Sequence, residues 1–179
     1  VARVLGTAAA PRRRRQDPPV WTFSTLRIRR YAPEDSATVF ALHQECLAQV
    51  GLRPGDGVYY DDDFAHVEEI YLRAGGEFVV GEVHGEIAAI GGLRRVNDVI
   101  VEMVRLRVSP GRQGQGYGAA IVAVLEERAI ELGYHVLHAD TTVKQPVAME
   151  LYRSSGWREI NRKVTGATVT VYFEKHLSR

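Results

Sequence analysis

The sequence predicts one α/β domain on a mixed, mostly antiparallel sheet of about six to seven strands, flanked by about four helices. Three observations predict it. Residues 77–108 read as three strands joined by tight turns, which makes an antiparallel meander. Residues 100–141 read as strand, glycine-rich turn, amphipathic helix and strand, a crossover that places its two strands parallel. Residues 157–176 read as a closing hairpin.

The elements follow from the chain in order. Residues 1–24 are expected to be a flexible basic arm and residues 25–179 a single domain. Residues 1–31 carry eight arginines against Asp17 alone, a balance of +7, which leaves −6 for the rest of a chain whose net charge is +1. Arg12–Arg15, between Ala8-Ala9-Ala10-Pro11 and Pro18-Pro19, reads as a solvated tail. A salt-sensitive contact with nucleic-acid phosphates is the minor alternative. Leu26 and Ile28 alternate with arginines in a first short strand. Pro33-Glu34-Asp35-Ser36 is a helix start, followed by the apolar stripe Val39, Leu42, Cys46 and Val50 and a stop at Gly51. Cys46 and His43 read as core residues.

A second helix is expected over Asp61–Leu72. Its acidic run is a solvated face or, alternatively, a lure for a cationic acceptor. His84-Gly85 makes a hairpin turn between strands Glu77–Glu82 and Glu86–Val96. Gly91-Gly92 within the second strand marks a bulge or a close approach by a ligand. Asn97-Asp98 leads into the strand Ile100–Val108, which Ser109-Pro110-Gly111 ends. Ile121, Val122, Leu125, Ala129 and Leu132 recur at helical spacing up to Gly133. Val136–Thr141 is the next strand. A helix from Pro146 ends at Gly156. Thr165-Gly166-Ala167 turns the final hairpin, whose edge is open to a second copy as a homodimer contact.

Composition narrows the class. No apolar run reaches the ~20 residues of a membrane span, and no secretory signal is legible in residues 1–10. The single Cys46 makes no intrachain disulfide, and no zinc-ligand spacing occurs. The expectation is a cytoplasmic protein without metal and without a membrane partner.

Chemistry concentrates at the glycine-rich turn. Glycines at 114, 116 and 118 let the backbone adopt positive φ and keep Cβ atoms away from a ligand. The first amides of the following helix lack intrahelical partners and carry the positive end of its dipole, a setting suited to a pyrophosphate. Two-residue alternation puts Glu102 on one face with Ile100, Val104, Leu106 and Val108. An apolar setting of that kind pushes a carboxyl toward the range where it works as a base. Alternatively, a bulge breaks the alternation and Glu102 meets Arg105 or solvent.

The stretch VRLRVSPGRQGQGYGAAIVAVLEERAIELG followed by KQPVAMELYRSSGWRE resembles the GNAT superfamily of acyl-CoA-dependent N-acetyltransferases. Gln113-Gly114-Gln115-Gly116-Tyr117-Gly118 matches that family's Q/R-x-x-G-x-G/A loop. Ala148, Leu151-Tyr152 and Gly156-Trp157 match its later A-x-x-L-Y-x-x-x-G-F/W signature. The resemblance runs over residues 26–176 and implies a GNAT-like sheet. It also implies acetyl-CoA as co-substrate, its pyrophosphate on the amides of Gln113, Gly114, Gln115, Gly116, Tyr117, Gly118 and Ala119. The pantetheine arm is then expected along Leu106, Arg107 and Val108. Gln145 stands where the family often has Asn, three residues before Ala148, and keeps an amide there.

The resemblance further implies direct attack of an amine on the thioester, with Glu102 the candidate base and Tyr152 the acid at the departing sulfur. The acceptor is expected to be a small-molecule or peptide amine. The acidic body of the chain favours a basic one. Two rivals stand beside this reading. Gly114-x-Gly116-x-x-Ala119 with Asp140 fits a dinucleotide fingerprint, and the same fold can serve as a non-catalytic acyl-CoA-binding module.

Overall fold

The computed structural model describes residues 19–52 and 62–178. The basic block Arg12–Arg15 and the acidic residues Asp56 and Asp61 lie outside them. Eight strands form one sheet: β1 (Val20–Phe23), β2 (Leu26–Arg30), β3 (Glu77–Val83), β4 (Glu86–Arg95), β5 (Ile100–Val108), β6 (Val136–Thr142), β7 (Arg158–Thr165) and β8 (Thr168–His176). Their order is β1-β2-β3-β4-β5-β6-β8-β7. Among the described residues, only β5 and β6 run parallel, as a helical crossover requires.

One strand was not expected. β1 lies within the stretch assigned to the arm, and pairs with β2 from Val20–Arg29 to Phe23–Leu26. Its residues, Val, Trp, Thr and Phe, are all strand formers. β1 therefore joins the sheet from within the stretch expected to be an arm.

The two faces of the sheet are covered differently. α2 (Tyr117–Glu131) and α3 (Pro146–Ser154) lie on one face. There Ile121, Leu125, Tyr152 and Trp157 join Leu26, Val79, Met103 and Phe173 in one buried cluster. α1 (Ser36–Gln49) and an irregular helical run, Asp62–His66 then Glu68–Leu72, cover the other. Val39, Leu42 and Cys46 meet Phe64, Tyr71, Phe78 and Ile90 on that side. Cys46 and His43 are both buried there, as core residues should be.

The turns behave as their residues dictate. His84 and Gly85 both have positive φ, the geometry of a two-residue hairpin turn that keeps the strand twist. Gly91 is where α2 comes closest: a Cβ there would lie 2.7 Å from Ile121 and 2.9 Å from Leu125. Helix packing, rather than a ligand, explains that glycine.

A bulge in β5 positions the site. Gly92 faces Val104 while Ile90 faces Arg107, so β5 carries one residue more than β4 across that interval. Arg105 takes up the extra residue with φ 58°, a left-handed conformation uncommon for a side chain of its size. The bulge inverts the alternation. Met103 and, beyond it, Leu106 and Val108 face the α2 side, whereas Val104 faces the α1 side. Glu102 therefore shares a face with Val104 but not with Leu106 and Val108, contrary to the simple two-residue count.

Candidate active site

β5 and β6 stay paired only from Ile100–Val136 to Met103–Ala139. Beyond that point they diverge, and two cavities open along the gap. The larger, about 620 Å³, runs from the glycine turn past Leu106, Arg107 and Val108 to Gln145 and Ala148. The smaller, about 280 Å³, lies deeper and is walled by Arg94, Arg105, Asp140, Thr142 and Tyr152. Leu106, Arg107, Gln145 and Ala148 line both, so the two spaces meet at one junction.

The glycine turn forms the mouth of the larger cavity. Gly114 and Gly116 have φ of 75° and 83°, and Gly116 caps α2. Gly118 differs from its neighbours. It sits inside the helix, where a Cβ would come within 3.1 Å of Leu151. The first intrahelical bond runs from the Ala120 amide to the Gly116 carbonyl at 3.0 Å, so the preceding amides of the turn are left for a ligand. Gln113 braces the turn from behind, its Nε2 donating to the Val108 carbonyl at 3.0 Å and to Gln49 at 2.9 Å. Hence the side chain of Gln113 holds the loop, which leaves its backbone amide as the candidate ligand.

Further along, β5 pairs with β4 on one side at Val108 and Arg107. Its other side has no strand partner past Met103 among the described residues. That open edge is what an extended amide-bearing chain would pair with. Cys46 closes the wall on the α1 side, its thiol donating to the Val108 carbonyl at 3.3 Å. Burial pushes that thiol up to about 11, which makes it a poor nucleophile.

Tyr152, on α3, reaches the smaller cavity while its ring packs against Trp157 and Phe173. Burial, countered by Arg107 and reinforced by Asp140 and Glu102, raises its hydroxyl above the ordinary tyrosine value. It is thus protonated at neutral pH and able to donate.

Glu102 does not line either cavity. Its carboxylate accepts from Arg94 at 2.6 Å and stands within hydrogen-bonding reach of Asp140. Asp140 is the acid that opens onto the smaller cavity. Burial among protein atoms, then the charge and hydrogen bond of Glu102, push its carboxyl up to about 6. Its side chain nonetheless keeps an exposed surface. The sequence offered no direct signal for this pairing, which needs the register of two strands joined through a crossover helix. The dinucleotide fingerprint fails on the same observation. Asp140 faces the small cavity with Tyr152, not the glycine turn, and the sheet has one parallel pair.

Nor is the acidic run a bare solvated face. Asp63 is buried, accepting from Arg105 Nε at 2.9 Å and Nη2 at 2.7 Å, and from the Tyr71 hydroxyl. Burial alone would raise its carboxyl, but the Arg105 and Tyr71 hydrogen bonds outweigh that and lower it. The network holds the left-handed Arg105 of the bulge.

Residues 37–157 match the profile of the Acetyltransferase (GNAT) family. The chain belongs to that family. The "Uncharacterized N-acetyltransferase YjgM" of Escherichia coli strain K12 is 23% identical over 138 residues, 75% of this chain and 83% of that protein. The fold is shared with a GNAT-family acetyltransferase from Staphylococcus aureus Mu50, at a TM-score of 0.75 and 18% identity, over 86% of this chain and 99% of that one. The yncA structure from Salmonella typhimurium, solved with its cofactor acetyl-CoA, superposes at a TM-score of 0.73 and 19% identity, over 87% and 95% of the two chains. Among the described residues of this GNAT protein, no helix is long and apolar enough to cross a membrane. No group of three or more His, Cys, Asp or Glu side chains among them is placed to hold a metal ion.

Proposed function

We propose that the protein is an N-acetyltransferase that moves an acetyl group from acetyl-CoA directly to the primary amine of a small-molecule or peptide acceptor. The observation that carries this reading is the junction of the two cavities. A cleft with the features of a coenzyme A site opens at Leu106, Arg107, Gln145 and Ala148 into a second, polar space large enough for an amine.

The chain fits acetyl-CoA at three places. Gly114 and Gly116 curl the backbone so that the amides at the start of α2 face a pyrophosphate. The edge of β5 past Met103, which has no strand partner among the described residues, offers main-chain groups to the pantetheine amides. Gln145, at the start of α3, presents its side chain where the cavities meet. The coenzyme supplies an activated thioester; the residues around it align the amine, exclude water and handle protons.

Tyr152 is the proposed acid. Its buried hydroxyl on the cavity wall donates to the sulfur as the carbon–sulfur bond breaks, so that the thiolate leaves as a thiol. A carboxylate of the smaller cavity takes the proton that the attacking ammonium must lose. Asp63 turns inward to Arg105, and the cavity wall carries Arg94, Arg105 and Arg107 beside Asp140.

The test is thiol release from acetyl-CoA over a panel of amines, with mass spectrometry of the acceptor. Acetylated product with stoichiometric free coenzyme A supports transfer. Tight binding of acetyl-CoA with no turnover over a broad panel would instead favour a non-catalytic acyl-CoA-binding module.

A further inference from the structure

We infer that Asp140, not Glu102, is the base that deprotonates the acceptor amine, with Glu102 a positioning residue whose charge acts on it from the neighbouring strand. This rests on the acetyl-transfer reading and assigns a role within it. The geometry carries it first. Asp140 lines the same small cavity as Tyr152, whereas Glu102 sits behind the wall and gives an oxygen to Arg94 at 2.6 Å. A base must reach the proton it removes, directly or through one water, and among the described carboxylates Asp140 is the one that lines the space an amine can enter.

The surroundings then suit the task. On the face of the sheet that carries Asp140, Glu102 and Arg105 project from β5, and Arg94 from β4. Asp63 and Tyr71 stand behind Arg105, and Tyr172 is the register partner on β8. His138, two residues earlier on β6, is engaged by Glu174 at 3.0 Å. Tyr152 approaches from α3. Among these groups Glu102 is the neighbour that raises the Asp140 carboxyl, while Arg94 and Arg105 limit the rise. Near neutrality Asp140 is therefore ionised yet basic enough to accept a proton.

The step balances. The ammonium gives one proton to Asp140, and its freed lone pair forms the carbon–nitrogen bond. The carbon–sulfur bond then breaks, with its electron pair going to sulfur. Tyr152 protonates that sulfur. The adduct nitrogen gives its second proton, through cavity water, to the Tyr152 phenolate, which restores the acid, and Asp140 returns the first to solvent through the cavity mouth, so each turnover releases one proton.

The experiment compares wild type, Asp140→Asn and Glu102→Gln by kcat, KM for acetyl-CoA and the pH profile of kcat, with thermal melting as the check on folding. The expected result for Asp140→Asn is a kcat loss of about 10²-fold or more, an unchanged KM for acetyl-CoA, and disappearance of the acid limb near pH 6. Glu102→Gln removes the charge that lifts Asp140. It should keep kcat within about ten-fold at pH 8 while its acid limb moves to lower pH. An Asp140→Asn enzyme with wild-type kcat and limb overturns the assignment. So does a Glu102→Gln enzyme that loses the limb altogether. If Asp140→Asn fails to fold, the Glu102→Gln profile decides alone: a limb moved acidward supports Asp140, and an unmoved or missing limb overturns it. A wild-type protein that binds acetyl-CoA but releases no thiol removes the reaction and this role with it, an outcome separate from a failed variant.

Discussion

Replacing Asp63 with Asn tests how the bulge in β5 is held. The side chains of Asp63 and Arg105 are 9% and 11% exposed, and two hydrogen bonds of 2.9 and 2.7 Å join them, with Tyr71 as a third member. Removing one charge from such a pair leaves the other buried without compensation, a loss of about 3–5 kcal/mol. For a chain of this length each kcal/mol shifts the melting midpoint by about 2–4 °C, so Asp63→Asn should melt roughly 6–20 °C lower. The left-handed Arg105 costs about 1–2 kcal/mol on its own, which the network now offsets. Its release should let β5 drift in register at Leu106–Val108 and raise KM for acetyl-CoA. A cycle with Arg105→Gln separates the pair from its parts, since the double variant no longer buries a lone guanidinium and should recover part of the loss. The pH dependence has a definite sign. The folded-state carboxyl of Asp63 is lowered, so its stabilisation is present above the unfolded value of 3.8 and fades as pH falls through the folded value. Asp63→Asn should therefore lose more stability at pH 7 than at pH 3. A variant that melts within a degree or two of wild type at pH 7, with the same KM, would refute this account of the bulge.

Other expectations follow from the same geometry. Tyr152→Phe keeps the ring packing against Trp157 and Phe173, so its melting point should hold while kcat falls about ten-fold or more; steady-state rates and calorimetry decide. Gly116→Ala forces a side chain into φ 83° with Phe23 only 3.4 Å from the new Cβ. Weaker acetyl-CoA binding and a stability loss of about 1–2 kcal/mol should result, read by calorimetric titration and denaturant melts. Cys46, with its thiol near 11 and its side chain on the coenzyme cleft, should react with a thiol reagent at pH 8 several-fold more slowly than an exposed cysteine. Acetyl-CoA should slow it further; mass spectrometry over time reports both.

Much of this arrangement is local and therefore legible in the sequence. The strand, glycine turn and helix at residues 100–132 need only short-range chemistry, and so do the capping residues Gly51, Gly133, Pro146 and Gly156. What the sequence hides depends on partners far along the chain. The β5 bulge requires β4 opposite it; Gly91-Gly92 hinted at an irregularity but not at which strand would carry the extra residue. Asp63 finds Arg105 across 42 positions. Asp140 finds Glu102 only because a parallel crossover sets the register. β1 is a different case. Its strand-forming residues were visible, but the prolines and the basic block before them masked a strand of four residues.

The most direct measurement is calorimetric titration of the purified protein with acetyl-CoA, alongside Gly116→Ala. One coenzyme per chain and clearly weaker binding by the variant are expected if the left-handed turn at Gly116 aims the helix amides at the diphosphate. A folded wild-type protein that takes up no acetyl-CoA at millimolar concentration would contradict it.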